Sequence, residues 1–265
     1  MWLSCSARPV WFTGGRKQSI FFWWTVLTFP CPAPILPGGS GRRKSVIELK
    51  DVSCRFAGRV LFEGVNLSIR RGEIALLRGK SGCGKTTFLR ILSAFLDPTT
   101  GRLELDGKPY RSYRYPELRS KIVYLHQTPV LEASKSVREN LLAPFSLAAH
   151  KGKPTPKEET ILPLLAAFHL DRSLLPRDAR ELSVGEQQRV AILRAFLLQP
   201  DYLLLDEPIA NLDAESARAI RTWLSGATLD RAGLVISSHQ EMEDLPANRI
   251  RRLEFAEGSI LERSS

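Results

Sequence analysis

Glu73-Ile74-Ala75-Leu76-Leu77-Arg78-Gly79-Lys80-Ser81-Gly82-Cys83-Gly84-Lys85-Thr86 is a short apolar run that enters a glycine-rich loop ending in a lysine and a hydroxyl. From Thr86 to Leu96 apolar residues recur at helical spacing (Phe88, Leu89, Ile91, Leu92, Phe95), and Asp97-Pro98 is expected to close that helix. Strand, loop and helix in this order fit the P-loop pattern. Its glycines let backbone N–H groups close around phosphates, and the helix start adds a favourable dipole. Lys85 then reaches the β and γ phosphates, and Thr86 offers its hydroxyl to Mg²⁺. The candidate nucleotide-binding residues here are Gly79, Ser81, Gly82, Cys83, Gly84, Lys85, Thr86 and Thr87.

On either side of this stretch, short apolar runs alternate with helical patterns. Val46 to Val52 alternates apolar and polar residues as a half-buried strand does, and Val60 to Ile69 reads as its neighbour. Leu103 to Gly107 reads as a strand entering a hairpin, and Ile122 to Leu125 as a further strand. Ser136-Val137-Arg138-Glu139 has capping-box spacing and opens a helix expected to end near Ala143-Pro144. Glu158 to Phe168 and Glu186 to Leu198 read as helices, while Tyr202 to Leu205 and Leu234 to Ser237 read as buried strands. The pattern predicts an α/β domain with a mainly parallel sheet, whose ligands bind at the carboxyl ends of the strands.

Composition agrees with a globular chain of ordinary make-up. Of the 265 residues, 43% are hydrophobic and 25% charged, which excludes a largely disordered, fibrous or polytopic membrane chain. The four cysteines, Cys5, Cys31, Cys54 and Cys83, have no metal-ligand spacing and outline no disulfide framework. The net charge of +10 is unevenly placed: residues 1–44 carry six basic side chains and no acid. This leader also holds Trp2, Trp11, Trp23 and Trp24, then a Pro- and Gly-rich stretch from Pro30 to Gly41. Its apolar run Ile20–Phe29 is too short to cross a bilayer, which takes about 20 residues. Three readings of residues 1–44 stand open: a membrane-surface segment, a disordered extension, or upstream sequence joined by a misassigned start. The working domain is expected over 45–262, with a helical subdomain at about 130–198.

Tyr202-Leu203-Leu204-Leu205-Asp206-Glu207 runs four apolar residues into two carboxylates. At the end of a buried strand beside the P-loop, Asp206 is placed to hold Mg²⁺, directly or through water, and Glu207 to polarise an attacking water. Between the two motifs lies Leu182-Ser183-Val184-Gly185-Glu186-Gln187-Gln188-Arg189, at the start of a helix. With this ordered set the chain resembles the nucleotide-binding (ATPase) subunit of the ATP-binding cassette family, over about Val46 to Ile260. That family's signature reads Leu-Ser-Gly-Gly-Gln or Leu-Ser-Gly-Gly-Glu-Gln-Gln-Arg.

The resemblance implies further roles and partners. Gln127 matches the loop that senses Mg²⁺ and the γ phosphate and couples to the membrane subunit. Asn211-Leu212-Asp213 matches the loop whose Asp crosses a dimer interface, and His239 the His that contacts the γ phosphate. Phe56 stands where the family has an adenine-stacking aromatic, although a core Phe on the first strands is the rival reading. Ser183, Gly185 and the helix dipole are expected to meet the γ phosphate bound by a second copy, so two copies would sandwich two ATP molecules. Val184 departs from the family's Gly, which predicts an active site with weaker closure. The implied protein binds and hydrolyses ATP with Mg²⁺, peripherally on the cytoplasmic face of the cell inner membrane. It would power transport through separate integral-membrane permease subunits, with no nucleic-acid partner. A non-transport ATPase of cell division, cofactor assembly or repair and a regulatory nucleotide-binding module remain as alternatives. The cargo stays open: Glu-Gln-Gln-Arg resembles lipoprotein-releasing and macrolide-export ATPases, Gln127-Thr128-Pro129 those of iron or metal export.

Overall fold

The structure, a computed structural model, describes residues 45–263 except 151, 211, 226–231, 241, 243, 244 and 257. The leader of residues 1–44 and Asn211 therefore lie outside the described residues.

The chain opens with a long antiparallel pair, β1 (Val46–Phe56) and β2 (Arg59–Arg70). Ala57 and Gly58, at φ 49° and 79°, make the two-residue turn between them, both left-handed as the twist of such hairpins demands. The expected alternation holds along the first half of β1, where Ile47 and Leu49 are buried. At Asp51 (φ 53°) the register shifts, and Val52, Ser53 and Cys54 are then buried in succession. β3 (Ile74–Arg78) leads through the glycine-rich loop into α1 (Lys85–Leu92). β4 (Thr100–Leu105) and β5 (Lys108–Pro109) form the anticipated hairpin and complete a four-stranded antiparallel sheet, β2-β1-β4-β5.

Helix α1 stops earlier than its apolar pattern suggests. Ala94 takes φ 55°, and the N–H groups of Phe95 and Leu96 donate back to the Arg90 carbonyl, which caps the helix end. Phe95 therefore leaves the buried face and is 54% exposed. Next come α2 (Tyr115–Lys121), β6 (Ile122–Leu125), α3 (Val137–Leu142), α4 (Glu158–Ala167) and α5 (Val184–Leu197). The chain closes with β7 (Tyr202–Asp206), α6 (Ala214–Ser225), β8 (Gly233–Ser237), β9 (Ile250–Ala256) and β10 (Ser259–Arg263). Elements α2, α6, β9 and β10 have no counterpart among the segments read from the sequence.

The main sheet runs β10-β9-β3-β8-β7-β6, parallel throughout except for the antiparallel edge strand β10. Both its faces are covered. Leu76, Leu203, Leu205 and Ile236 pack with α3, α4, α5 and α6 in one core. Leu77, Leu204 and Val235, from the other face, pack with α1 and the antiparallel sheet in a second core around Phe62, Phe88 and Phe255. Two-sided burial explains why these strands read as unbroken apolar runs, each buried Leu or Val contributing about 1.5–3 kcal/mol. It also leaves the strands' carboxyl ends as the edge where polar side chains gather.

Candidate active site

The segments leaving the carboxyl ends of β3, β6, β7 and β8 carry, respectively, the glycine-rich loop, Gln127, Asp206-Glu207 and His239. The loop needs glycine at its entrance. Gly79 has φ 147°, and a Cβ there would lie 2.7 Å from Cys83 Sγ and 2.9 Å from the Phe255 carbonyl. Lys85, almost wholly buried, donates from Nζ to the carbonyls of Gly79 (2.8 Å) and Lys80 (3.2 Å). Nζ also lies 3.3 Å from His239 Nε2.

The acidic side is fixed by hydroxyls. Asp206 is buried, and its Oδ1 accepts from Thr86 Oγ1 (3.2 Å) and Ser237 Oγ (2.7 Å), while Oδ2 accepts from the Tyr124 phenol (3.0 Å). Burial, and secondarily the charge of Asp206, push the Tyr124 phenol up to about 12, so it remains a donor at neutral pH. Glu207 takes a left-handed backbone, φ 50°, and its N–H is received by both the carbonyl (3.1 Å) and the hydroxyl (2.9 Å) of Ser237. Its carboxylate Oε1 lies 3.1 Å from His239 Nε2. An unprotonated Nε2 accepts from Lys85, and a protonated one donates to Glu207.

Of these groups, Lys85, Thr86, Glu207 and His239 border one open cavity of about 510 Å³, while Asp206, Tyr124 and Ser237 lie outside its lining. Ser81, Gly82, Gly84, Lys85, Thr86 and Thr87 form one wall, with Gln127, Glu207 and His239 facing them. Phe56 stands at its rim, 67% exposed, which rules out the core reading and leaves the ring free to stack on a ligand. Cys83 does not border the cavity; its thiol packs under Gly79.

The remaining expected residues lie elsewhere. Ser183 is the N-cap of α5: its Oγ and N–H both donate to Glu186 Oε2 (2.8 Å each), and it receives the Glu186 N–H (3.2 Å). Gly185 is pressed against α6, where a Cβ would come 2.5 Å from Ser216 Oγ. Asp213 receives the Ser216 N–H (2.8 Å), and its hydrogen bonds from Ser216 hold its carboxyl below the usual range. Gly185 thus lies against Ser216 and Asp213, and none of Ser183, Gly185 and Asp213 borders the cavity. Val184 presents its side chain outward, 61% exposed.

The residues fit a nucleotide with Mg²⁺. A glycine cradle and a lysine face one side, and the Thr86 hydroxyl, Asp206 carboxylate and Gln127 amide offer the oxygen donors Mg²⁺ prefers. Among the described residues no three His, Cys, Asp or Glu gather into a metal cage, so a cation here would take further ligands from phosphate and water. Tyr124 and Ser237 escaped the sequence reading. For Ser237 the signal was a hydroxyl ending an apolar strand of two-sided burial, which is costly unless bonded.

Fold and site together define a P-loop nucleotide-binding domain. Residues 62–210, more than half of the chain, match the family described as ABC transporter, and the chain belongs to that family. It is 32% identical over 203 residues to the spermidine/putrescine import ATP-binding protein PotA of Spiroplasma citri, covering 76% of this chain and 56% of that protein. To the Fe(3+) ions import ATP-binding protein FbpC of Escherichia coli O157:H7 it is 34% identical over 182 residues, covering 68% and 50%. Multidrug resistance protein 3 of Entamoeba histolytica is 34% identical over 232 residues, 83% of this chain but 17% of that protein. The chain thus spans about half the length of these bacterial relatives and about a sixth of the amoebal one. Among solved structures, an ATP-binding subunit of an ABC transporter superposes with TM-score 0.72 at 25% identity, over 83% of this chain and 90% of that one. A dimeric ATP-binding cassette in a post-hydrolysis state, bound to ADP and Pi, gives 0.70 at 26%, over 82% and 98%.

Proposed function

We propose that this chain is the ATP-binding and ATP-hydrolysing subunit of an ABC transporter, powering transport through separate membrane-spanning subunits from a peripheral position on the cytoplasmic face of the inner membrane. One observation carries the reading. Lys85, Thr86, Gln127, Glu207 and His239, delivered by four parallel strands, border a single cavity with Asp206 beneath it. The names of the bacterial relatives, both import ATP-binding proteins, support the transport role.

The working domain is taken as residues 45–262, with the helices between about 130 and 198 as its helical part. Phe56 stacks on the adenine, and the loop amides with Lys85 hold the phosphates. Bound Mg²⁺ would neutralise charge on the β and γ phosphate oxygens. Thr86, Asp206 and Gln127 would hold that ion through their oxygens. Glu207 orients water in line with the γ phosphorus, and His239, within reach of Lys85 and Glu207, contacts the γ oxygens. Ser183, Gly185 and Asp213 act on the nucleotide of a second copy, which accounts for their position outside their own cavity.

Mg²⁺-dependent phosphate release by the purified chain tests this. Glu207→Gln should lower kcat by at least about 100-fold while still binding ATP. An unchanged rate in that variant, or no hydrolysis by the parent, would overturn the reading.

A further inference from the structure

Resting on that assignment of Asp206 and Glu207, we propose that Ser237 and Tyr124 are positioning residues that hold the two carboxylates in register with each other. β8 is buried along its whole length, and Ser237 has no exposed surface. A hydroxyl in such a place is retained at a cost unless it is fully bonded. Its two bonds have opposite sense: Oγ donates to Asp206 Oδ1 at 2.7 Å and receives the Glu207 N–H at 2.9 Å. One atom therefore links the metal-side carboxylate to the backbone of the water-side residue.

That backbone needs holding. Glu207 is a non-glycine residue at φ 50°, a conformation that persists only where surrounding structure imposes it. Ser237 imposes it with its carbonyl as well as its hydroxyl, at 3.1 and 2.9 Å. Asp206 is held from the opposite side as well. Tyr124, from β6, donates to Oδ2 at 3.0 Å, so rotation of the carboxylate about its own bond would break bonds at both oxygens. The strand ladder sets this geometry, with Asp206 opposite Ser237 and Tyr124 opposite Leu204 two residues earlier. Neither Ser237 nor Tyr124 borders the cavity, so each acts through the carboxylates.

The experiment compares Ser237→Ala, Ser237→Thr and Tyr124→Phe with the parent. It reads kcat and KM for MgATP, and Mn²⁺ affinity by paramagnetic resonance in the presence of a non-hydrolysable ATP analogue. Ser237→Ala should lose about tenfold in kcat with KM within about twofold, because the phosphate loop is untouched. Ser237→Thr, which keeps the hydroxyl, should recover most of that loss. Tyr124→Phe should shift Mn²⁺ affinity by about threefold or more. Folded Ser237→Ala with parental kcat, or a loss lying in KM alone, overturns the proposal. If Ser237→Thr misfolds, Tyr124→Phe decides, and parental Mn²⁺ affinity in it overturns the proposal. A parent that hydrolyses no ATP sinks the functional reading; equal Mn²⁺ affinity across all the proteins then sinks this one separately.

Discussion

Lys85 Nζ and His239 Nε2 stand 3.3 Å apart, and the same imidazole nitrogen lies 3.1 Å from Glu207 Oε1. An ammonium, an imidazole and a carboxylate therefore meet at one ring nitrogen across the mouth of the phosphate loop. His239→Ala should leave nucleotide affinity within a few-fold and lower kcat by roughly 100-fold. Steady-state kinetics with MgATP checks this, and a loss confined to KM would refute it.

Two identical caps separate folding from function. Ser136 on α3 and Ser183 on α5 make the same capping box, with Glu139 and Glu186 respectively. Replacing either with Ala should remove about 1 kcal/mol of stability, read from denaturant midpoints. Only Ser183→Ala should also lower ATPase activity, because only that helix start is assigned to a second copy's nucleotide.

Val184 stands 61% exposed at the first turn of α5, beside the Ser183 hydroxyl. On the two-copy reading its branched side chain holds the partner loop off. Val184→Gly should tighten ATP-driven dimer formation, measured by light scattering, with an ATPase rate equal to or above the parent's. A lower rate would count against it.

Gly101 (φ 82°) lies under β1, where a Cβ would come within 2.2 Å of the Asp51 carbonyl. Gly101→Ala should destabilise the domain by about 3 kcal/mol, from overpacking plus left-handed strain, seen as a lowered Tm. An unchanged Tm would show that the β1 irregularity yields freely.

How legible all this was in the sequence depended on whether the deciding partner was local. The glycine loop and the Ser136 cap are set by neighbours within a few residues and the buried strands by unbroken apolar runs, and each formed close to where the pattern placed it; the matching cap at Ser183 was not read, although Glu186 stands three residues on. The end of α1 was misread because Phe95 and Leu96 continue the apolar spacing, while the left-handed turn at Ala94 takes them out of the core. Phe56 was ambiguous because its alternation fits a core strand, and only the β1 register shifts and the turn after it send the ring outward. Tyr124 and Ser237 escaped notice because their common partner, Asp206, is 82 and 31 residues away. Helix α6 escaped although Ala217, Ile220 and Leu224 line its buried face at helical spacing.

The separation of Ser183, Gly185 and Asp213 from the cavity bordered by Lys85 has a kinetic consequence on the two-copy reading. In dilute solution turnover would rise with the square of subunit concentration, because each productive encounter requires two molecules. A partner that tethers two copies side by side would raise their effective concentration and make the same reaction first order. Control over the motor would then rest with whatever sets the distance between its halves.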